Sequence, residues 1–102
     1  MYKLTITELA DADLDEIMGY IAIELASPQA ASDFADAIET CYANIQRNPM
    51  CYEASRDPRL REEGYRRAVI KNYIMLYKVF PDREEAIVYR FFYGRRDYVN
   101  LI

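Results

Sequence analysis

The sequence predicts an α+β fold in the order β-α-α-β-β-β, with a two-helix antiparallel hairpin laid over one face of a sheet. Three observations carry this prediction. The first residues alternate like a strand. Two long stretches with helical spacing follow, separated by Ser27-Pro28. The last forty residues hold three strand-like runs joined by very short links, so those strands pair as an antiparallel meander. A chain of 102 residues makes one domain, residues 1–102, with a small core.

Each element has a local reason. Tyr2-Lys3-Leu4-Thr5-Ile6-Thr7 alternates with β-branched and aromatic residues and reads as a strand at a sheet edge. Thr7 caps the first helix, and Glu8 and Asp11 sit in its positive first turn. Ala10, Leu14, Ile17, Met18, Ile21 and Leu25 form one apolar stripe, which sends Asp13, Asp15 and Glu16 to the water side or its edge. Ser27-Pro28 is an N-cap followed by proline at the first helical position. The second helix turns Ala31, Phe34, Ala35, Ile38, Cys41, Tyr42 and Ile45 to one face and ends at Asn48-Pro49. Residues 50–64 read as a charged loop punctuated by Pro58 and Gly64. Tyr65–Ile70, Tyr73–Phe80 and Ala86–Tyr93 are the three strands. Lys71-Asn72 is the first turn, with Asn72 expected to take positive φ, and Pro81–Glu85 is the second. Both faces of this sheet are apolar. The helix hairpin covers one, and the other needs the chain's own tail, a second copy or a partner.

The net charge of −4 is unevenly spread. Residues 1–55 hold two basic and ten acidic residues, a net of −8, whereas residues 56–102 hold eleven basic and seven acidic, a net of +4. The second half therefore suits an anionic partner. Two cysteines and no histidine argue against a disulfide scaffold or a zinc site, so no metal or cofactor is expected. Lys3 and strand-like alternation replace a signal peptide, and no apolar run approaches the ~20 residues that span a bilayer. The expectation is a reduced, cytoplasmic protein.

The chemistry-bearing stretch is Arg90-Phe91-Phe92-Tyr93-Gly94-Arg95-Arg96-Asp97-Tyr98, where a strand runs into a glycine turn with two arginines. Arg90, Tyr93, Arg95, Arg96 and Tyr98 are the expected contacts for a target or a neutralising partner, because arginine forks and tyrosine faces suit anionic and mixed surfaces. Arg66, Arg67 and Lys71 are possible phosphate contacts, with Arg66 and Arg67 on opposite faces of their strand. The competing expectation pairs these cations with Glu62, Glu63, Asp82, Glu84, Glu85 and Asp97. The other strand tyrosines, Tyr65, Tyr73, Tyr77 and Tyr89, read as packing residues. The row Asp11, Asp13, Asp15 and Glu16 is scattered around its helix and reads as solvated surface. With no histidine and no phosphate loop or nucleophile motif, a self-sufficient hydrolase is not expected, and no catalytic residue is assigned.

Four segments in order resemble the RelE/ParE superfamily of plasmid-stabilisation toxins. These are Thr7–Ile21, the Ser27–Glu39 helix start, Gly64–Val79 and Val88–Ile102. The resemblance implies the fold derived above and a type II toxin, neutralised by a cognate antitoxin, that arrests growth either as a dimer or within a toxin–antitoxin hetero-oligomer. RelE-like members cut messenger RNA on the ribosome and commonly carry an arginine early in the second hairpin strand. Here the matching Tyr73-Ile74-Met75-Leu76-Tyr77 puts Ile74 at that position. The Gly94-Arg95-Arg96-Asp97-Tyr98 ending is similar to ParE-like members, which poison DNA gyrase. A ParE-like toxin acting by binding is therefore the leading expectation. A ribosome-dependent endoribonuclease and a non-toxic interaction domain of the same fold are the alternatives.

Overall fold

Strand β1 (Lys3–Ile6) leads into helix α1 (Glu8–Gly19), a π-helical turn (Tyr20–Glu24) and helix α2 (Pro28–Arg47) in the computed structural model, which describes residues 1–94. A short helix α3 (Pro58–Glu62) precedes strands β2 (Arg66–Ile70), β3 (Tyr73–Phe80) and β4 (Glu85–Tyr93). The caps stand where the sequence places them. Thr7 accepts from the Ala10 N–H, and Ser27 accepts from the Ala30 N–H with Pro28 behind it.

The sheet order is β1-β4-β3-β2. The meander β2-β3-β4 is antiparallel, as expected, but β1 lies parallel to β4, from Lys3 opposite Glu85 to Ile6 opposite Val88, so the sheet is mixed. A strand that reaches the sheet edge without a tight turn is free to take either direction, and α1 and α2 supply the long connection that a parallel neighbour needs.

The main core lies between the helices and one sheet face. Phe34, Ile38, Cys41 and Ile45 of α2 meet Met75, Tyr77, Ala86, Val88 and Phe91, with Ala10 and Ile17 closing the α1 side. Tyr77 is fully buried and its hydroxyl donates to the Pro49 carbonyl at 2.8 Å, which satisfies its one polar atom. Burial raises the Cys41 thiol from 9.0 to about 11 and the Tyr77 phenol from 10.0 to about 12. Both groups stay neutral in the fold while they ionise at ordinary values in the unfolded chain. Their contribution is thus complete below pH 9 and is lost as pH rises towards 11 and 12. The urea midpoint is expected to hold steady up to pH 8.5 and to fall progressively beyond about pH 9, with a shallower fall in Cys41→Ala.

Four local expectations are corrected. The loop over residues 50–64 contains α3, which Asp57 caps through the Leu60 N–H and Pro58 starts. Asp57-Pro58 is the same signal as Ser27-Pro28, and it was legible. In the Lys71-Asn72 turn the left-handed residue is Lys71, at φ 56°, not Asn72. Helix α1 does not carry its stripe to Leu25. The π-helical turn adds a residue to the turn, which rotates the phase and leaves Ile23 76% and Leu25 55% exposed. Finally, Leu76 pairs with Arg90 but Tyr77 pairs with Val88, so Tyr89 is an extra residue in β4. This bulge swaps the faces: Ala86 and Val88 before it and Phe91 after it all reach the helix-side core, and strict alternation through β4 fails.

The second sheet face is covered by the chain itself. Ile74, Leu76 and Phe92 pack with Leu60 of α3 and with Tyr65 into a separate cluster in which Leu60 and Leu76 are fully buried. Among the described residues no helix is long and apolar enough to cross a membrane.

Candidate functional site: a tyrosine groove beside an arginine–aspartate clamp

The end of β4 decides the site. β1 is short and leaves β4 at Val88, so the outer edge of β4 beyond that point faces α1 instead of another strand. Thr7 bridges the handover, its N–H donating to the Val88 carbonyl and its hydroxyl to the Tyr89 carbonyl. Asp13 continues it further along α1. Its carboxylate accepts the Phe91 N–H at 3.0 Å and the Arg90 guanidinium at 2.7 and 3.1 Å. The bulge at Tyr89 delivers Arg90 to the edge where Asp13 stands. The Arg90 guanidinium also lies 4.7 Å from the Phe92 ring centre. Donating these hydrogen bonds to Asp13 raises the pKa of Arg90 above its ordinary value. Asp13 is therefore not the solvated surface carboxylate that the acidic row of α1 suggests. It is an edge acceptor that closes the sheet against α1.

Two clefts open beside this clamp and meet at Tyr20, Tyr73 and Tyr93. One, of about 490 Å³, is lined by Asp13, Glu16, Ile17, Tyr20, Tyr73, Arg90, Phe91, Phe92 and Tyr93. The other, of about 390 Å³, runs past Ile21, Leu25, Ala30, Asp33 and Phe34 to Lys71 and Asn72, and shares Tyr20, Tyr73 and Tyr93 with the first. Tyr73 is the hinge of the groove: its ring meets Phe34 edge-on at 5.4 Å on one side and Tyr93 at 5.7 Å on the other. Burial, followed by the neighbouring Tyr20 and Tyr93 phenols, raises the Tyr73 pKa, so it is not poised as a neutral-pH base. Tyr20 and Tyr93 stay half exposed on the rim, with Glu16, Asp33 and Lys71. An aromatic floor with both signs of charge on its rim fits a peptide segment better than a small anion.

The expected site residues separate into three groups. Arg90 and Tyr93 come together in the groove, with Lys71 at its far end. Arg66 and Arg67 do not. Arg66 donates to the carbonyls of Tyr52 and Met50, while Arg67 pairs with Glu53 at 2.8 Å. Both hold the loop before α3. Arg95, Arg96 and Tyr98 lie outside the described residues. Of the acids expected as partners, Glu85 pairs with Arg83 at 3.2 Å, whereas the clamps on Arg67 and Arg90 use Glu53 and Asp13. Tyr20 and Asp13 were missed as site residues. Their spacing, with Glu16 between them, was a second stripe on α1 that an apolar count overlooks. Among the described residues no group of His, Cys, Asp or Glu could hold a metal ion.

Residues 4–98 match the family model described as the ParE toxin of the type II toxin–antitoxin system parDE. Among solved structures, the chain is similar to one from the chromosomal ParDE system of P. aeruginosa, with 22% identity, a TM-score of 0.67 and coverage of 89% of this chain and 94% of that one. It is also similar to a chain of the RelBE2 toxin–antitoxin complex from Mycobacterium tuberculosis, at 18% identity, TM-score 0.63 and 90% coverage of both. The isolated E. coli RelE toxin superposes with a TM-score of 0.62 at 11% identity, over 99% of this chain and 93% of that one. Among curated proteins, none matches.

Proposed function

The chain belongs to the ParE toxin family of type II toxin–antitoxin systems, and from that membership we propose that it arrests growth by binding DNA gyrase and is neutralised by a cognate antitoxin. It works in the cytoplasm by contact and needs no cofactor. The observation that carries this reading is Ile74. It occupies the position where the resemblance to RNA-cutting relatives calls for arginine, and it is 6% exposed in the cluster with Leu60, Leu76 and Phe92. A buried isoleucine supplies no charge to a phosphorane. The tyrosine groove supports the partner half of the proposal. Its two clefts are of a size and lining that an apolar antitoxin segment fills, with Arg90 held by Asp13 as a fixed polar mark within it. Arg95, Arg96 and Tyr98 continue the chain from Tyr93 and are assigned with it to target or antitoxin contact.

The test is a pulse-label after induction of the protein alone in a bacterial host. DNA synthesis is expected to fall before protein synthesis. Arg95→Ala with Arg96→Ala is expected to remove growth arrest while circular dichroism and the urea midpoint stay unchanged. Protein synthesis failing first, with cleaved transcripts, would replace this reading with a ribosome-dependent nuclease. No growth effect despite abundant soluble protein would leave only a non-toxic interaction domain.

A further inference from the structure

A cleft of about 230 Å³ opens on the sheet face that carries Ile74. Arg67, Lys71, Tyr93 and Gly94 are among its lining residues, and none of those residues is acidic. Its two cations are poorly matched. The Arg67 side chain is 9% exposed and gives Nη1 to Glu53 at 2.8 Å, but its Nε has no acceptor among the described residues. Glu53 is itself 52% exposed and is shared with Arg56 at 3.0 Å. Lys71 is exposed and forms no ion pair among the described residues. An enclosed guanidinium with an idle N–H is costly to leave unmatched, and a carboxylate is the acceptor that suits it.

The chain carries such a group past this spot. Strand β4 ends at Tyr93, and the Gly94 N–H donates to the Asn72 carbonyl at 2.8 Å, so the tail starts at the edge of the cleft. The approach needs glycine, because a Cβ there would stand 3.1 Å from the Asn72 oxygen. The residues that follow are Arg95-Arg96-Asp97-Tyr98, and Asp97 is the only acid after Glu85. Three residues span up to about 10 Å, which carries Asp97 across a cleft that Gly94 already lines. The other two clefts that Tyr93 borders repel a carboxylate, since Asp13, Glu16 and Asp33 line them.

We propose that Asp97 turns back into this cleft and pairs with Lys71 and the Nε of Arg67, tying the tail to the β2–β3 turn and holding Arg95 and Arg96 beside Tyr93. Asp97 is then a positioning residue: it fixes the arginine pair and does not itself touch a target. The inference rests on the reading of Arg95 and Arg96 as contact residues for its biological sense only. The pairing is read on the isolated full chain, without growth, so the two fail separately.

A carbodiimide joins an ammonium to a carboxylate in contact with it, with loss of water. Treatment of the full chain is expected to join Lys71 to Asp97, read by mass spectrometry of proteolytic fragments, and Lys71→Arg keeps the charge but loses the link. By NMR, the Arg67 Nε–H is expected to exchange about tenfold faster in Asp97→Ala than in the unmodified chain. In growth, Lys71→Glu and Asp97→Lys are each expected to raise the inducer dose needed for arrest about tenfold, and the two together to restore it, which a merely structural role would not do. Lys71 joined to Asp33, or to no acid, overturns the proposal. So does Nε–H exchange that Asp97→Ala leaves unchanged. Millimolar inorganic phosphate that slows the Arg67 Nε–H equally in the unmodified chain and in Asp97→Ala assigns the cleft to an outside anion instead. Single variants that lose arrest without rescue by the exchanged pair remove the positioning role. If the unmodified chain arrests nothing, the growth-arrest reading falls, and the crosslink and the Nε–H exchange still decide the pairing.

Discussion

Asp13→Ala is expected to lower the unfolding free energy by about 3 kcal/mol, and the melting temperature by about 12 °C or more. The carboxylate accepts three hydrogen bonds, two from Arg90 and one from the Phe91 N–H, and the side chains of the pair are only 23% and 16% exposed. Removing one partner leaves a half-buried guanidinium and an edge N–H without acceptors, and the cost of those orphans exceeds the modest net worth of the pair itself. Three variants measured by urea unfolding separate these parts. Asp13→Asn keeps an acceptor and is expected to cost about half as much. Arg90→Met in the Asp13→Ala background should recover 1 kcal/mol or more, roughly, because the stranded charge is gone and only the Phe91 N–H remains unmatched. If Asp13 were a solvated helix carboxylate, Asp13→Ala would change stability by no more than about 0.5 kcal/mol, and that result would remove the clamp from the description of the site.

Leu60→Ala is expected to cost about 3 kcal/mol and to loosen one sheet face selectively. Leu60 has no exposed surface, and it is the residue through which a five-residue helix seals Ile74, Leu76 and Phe92. Bonds that anchor the α3 segment include the Asp57 cap, the Tyr65 N–H to the Leu60 carbonyl, and Arg61 to the Ser55 and Arg56 carbonyls. A cavity there cannot be filled by a small shift of a long helix, so the segment opens instead. Hydrogen exchange should therefore quicken across residues 57–65 before it quickens in α2, and a dye that reports exposed apolar surface should bind the variant. Leu9→Ala, at a residue 61% exposed, serves as the control and should change stability by less than about 0.5 kcal/mol. A loss under about 1 kcal/mol for Leu60→Ala would mean that α3 does not seal the second face.

The helices, the meander and the caps were legible because each is decided within a few residues. Thr7, Ser27-Pro28, the α2 stripe and the period-two runs before and after Lys71 all act over one turn or one pleat. Half of the site was legible in the same way. Arg90, Tyr93 and Lys71 stood out by residue type and position, and all three line the groove. The helix α3 was legible too and was overlooked beneath the charges around Asp57-Pro58.

The rest belongs to distance. Asp13 and Arg90 are 77 positions apart in the chain, and nothing near either residue names the other. They meet because β1 is too short to run beside all of β4, and because one extra residue at Tyr89 turns Arg90 to that vacant edge. The same holds for the parallel placement of β1 and for Leu60 over Ile74. By itself, the sequence determined the element order, the caps and the apolar faces, since these are set by local backbone preference and side-chain period. Only the tertiary structure decided which strand edges are closed, which cation is clamped and where a groove remains, since those follow from lengths and registers that close across the whole sheet.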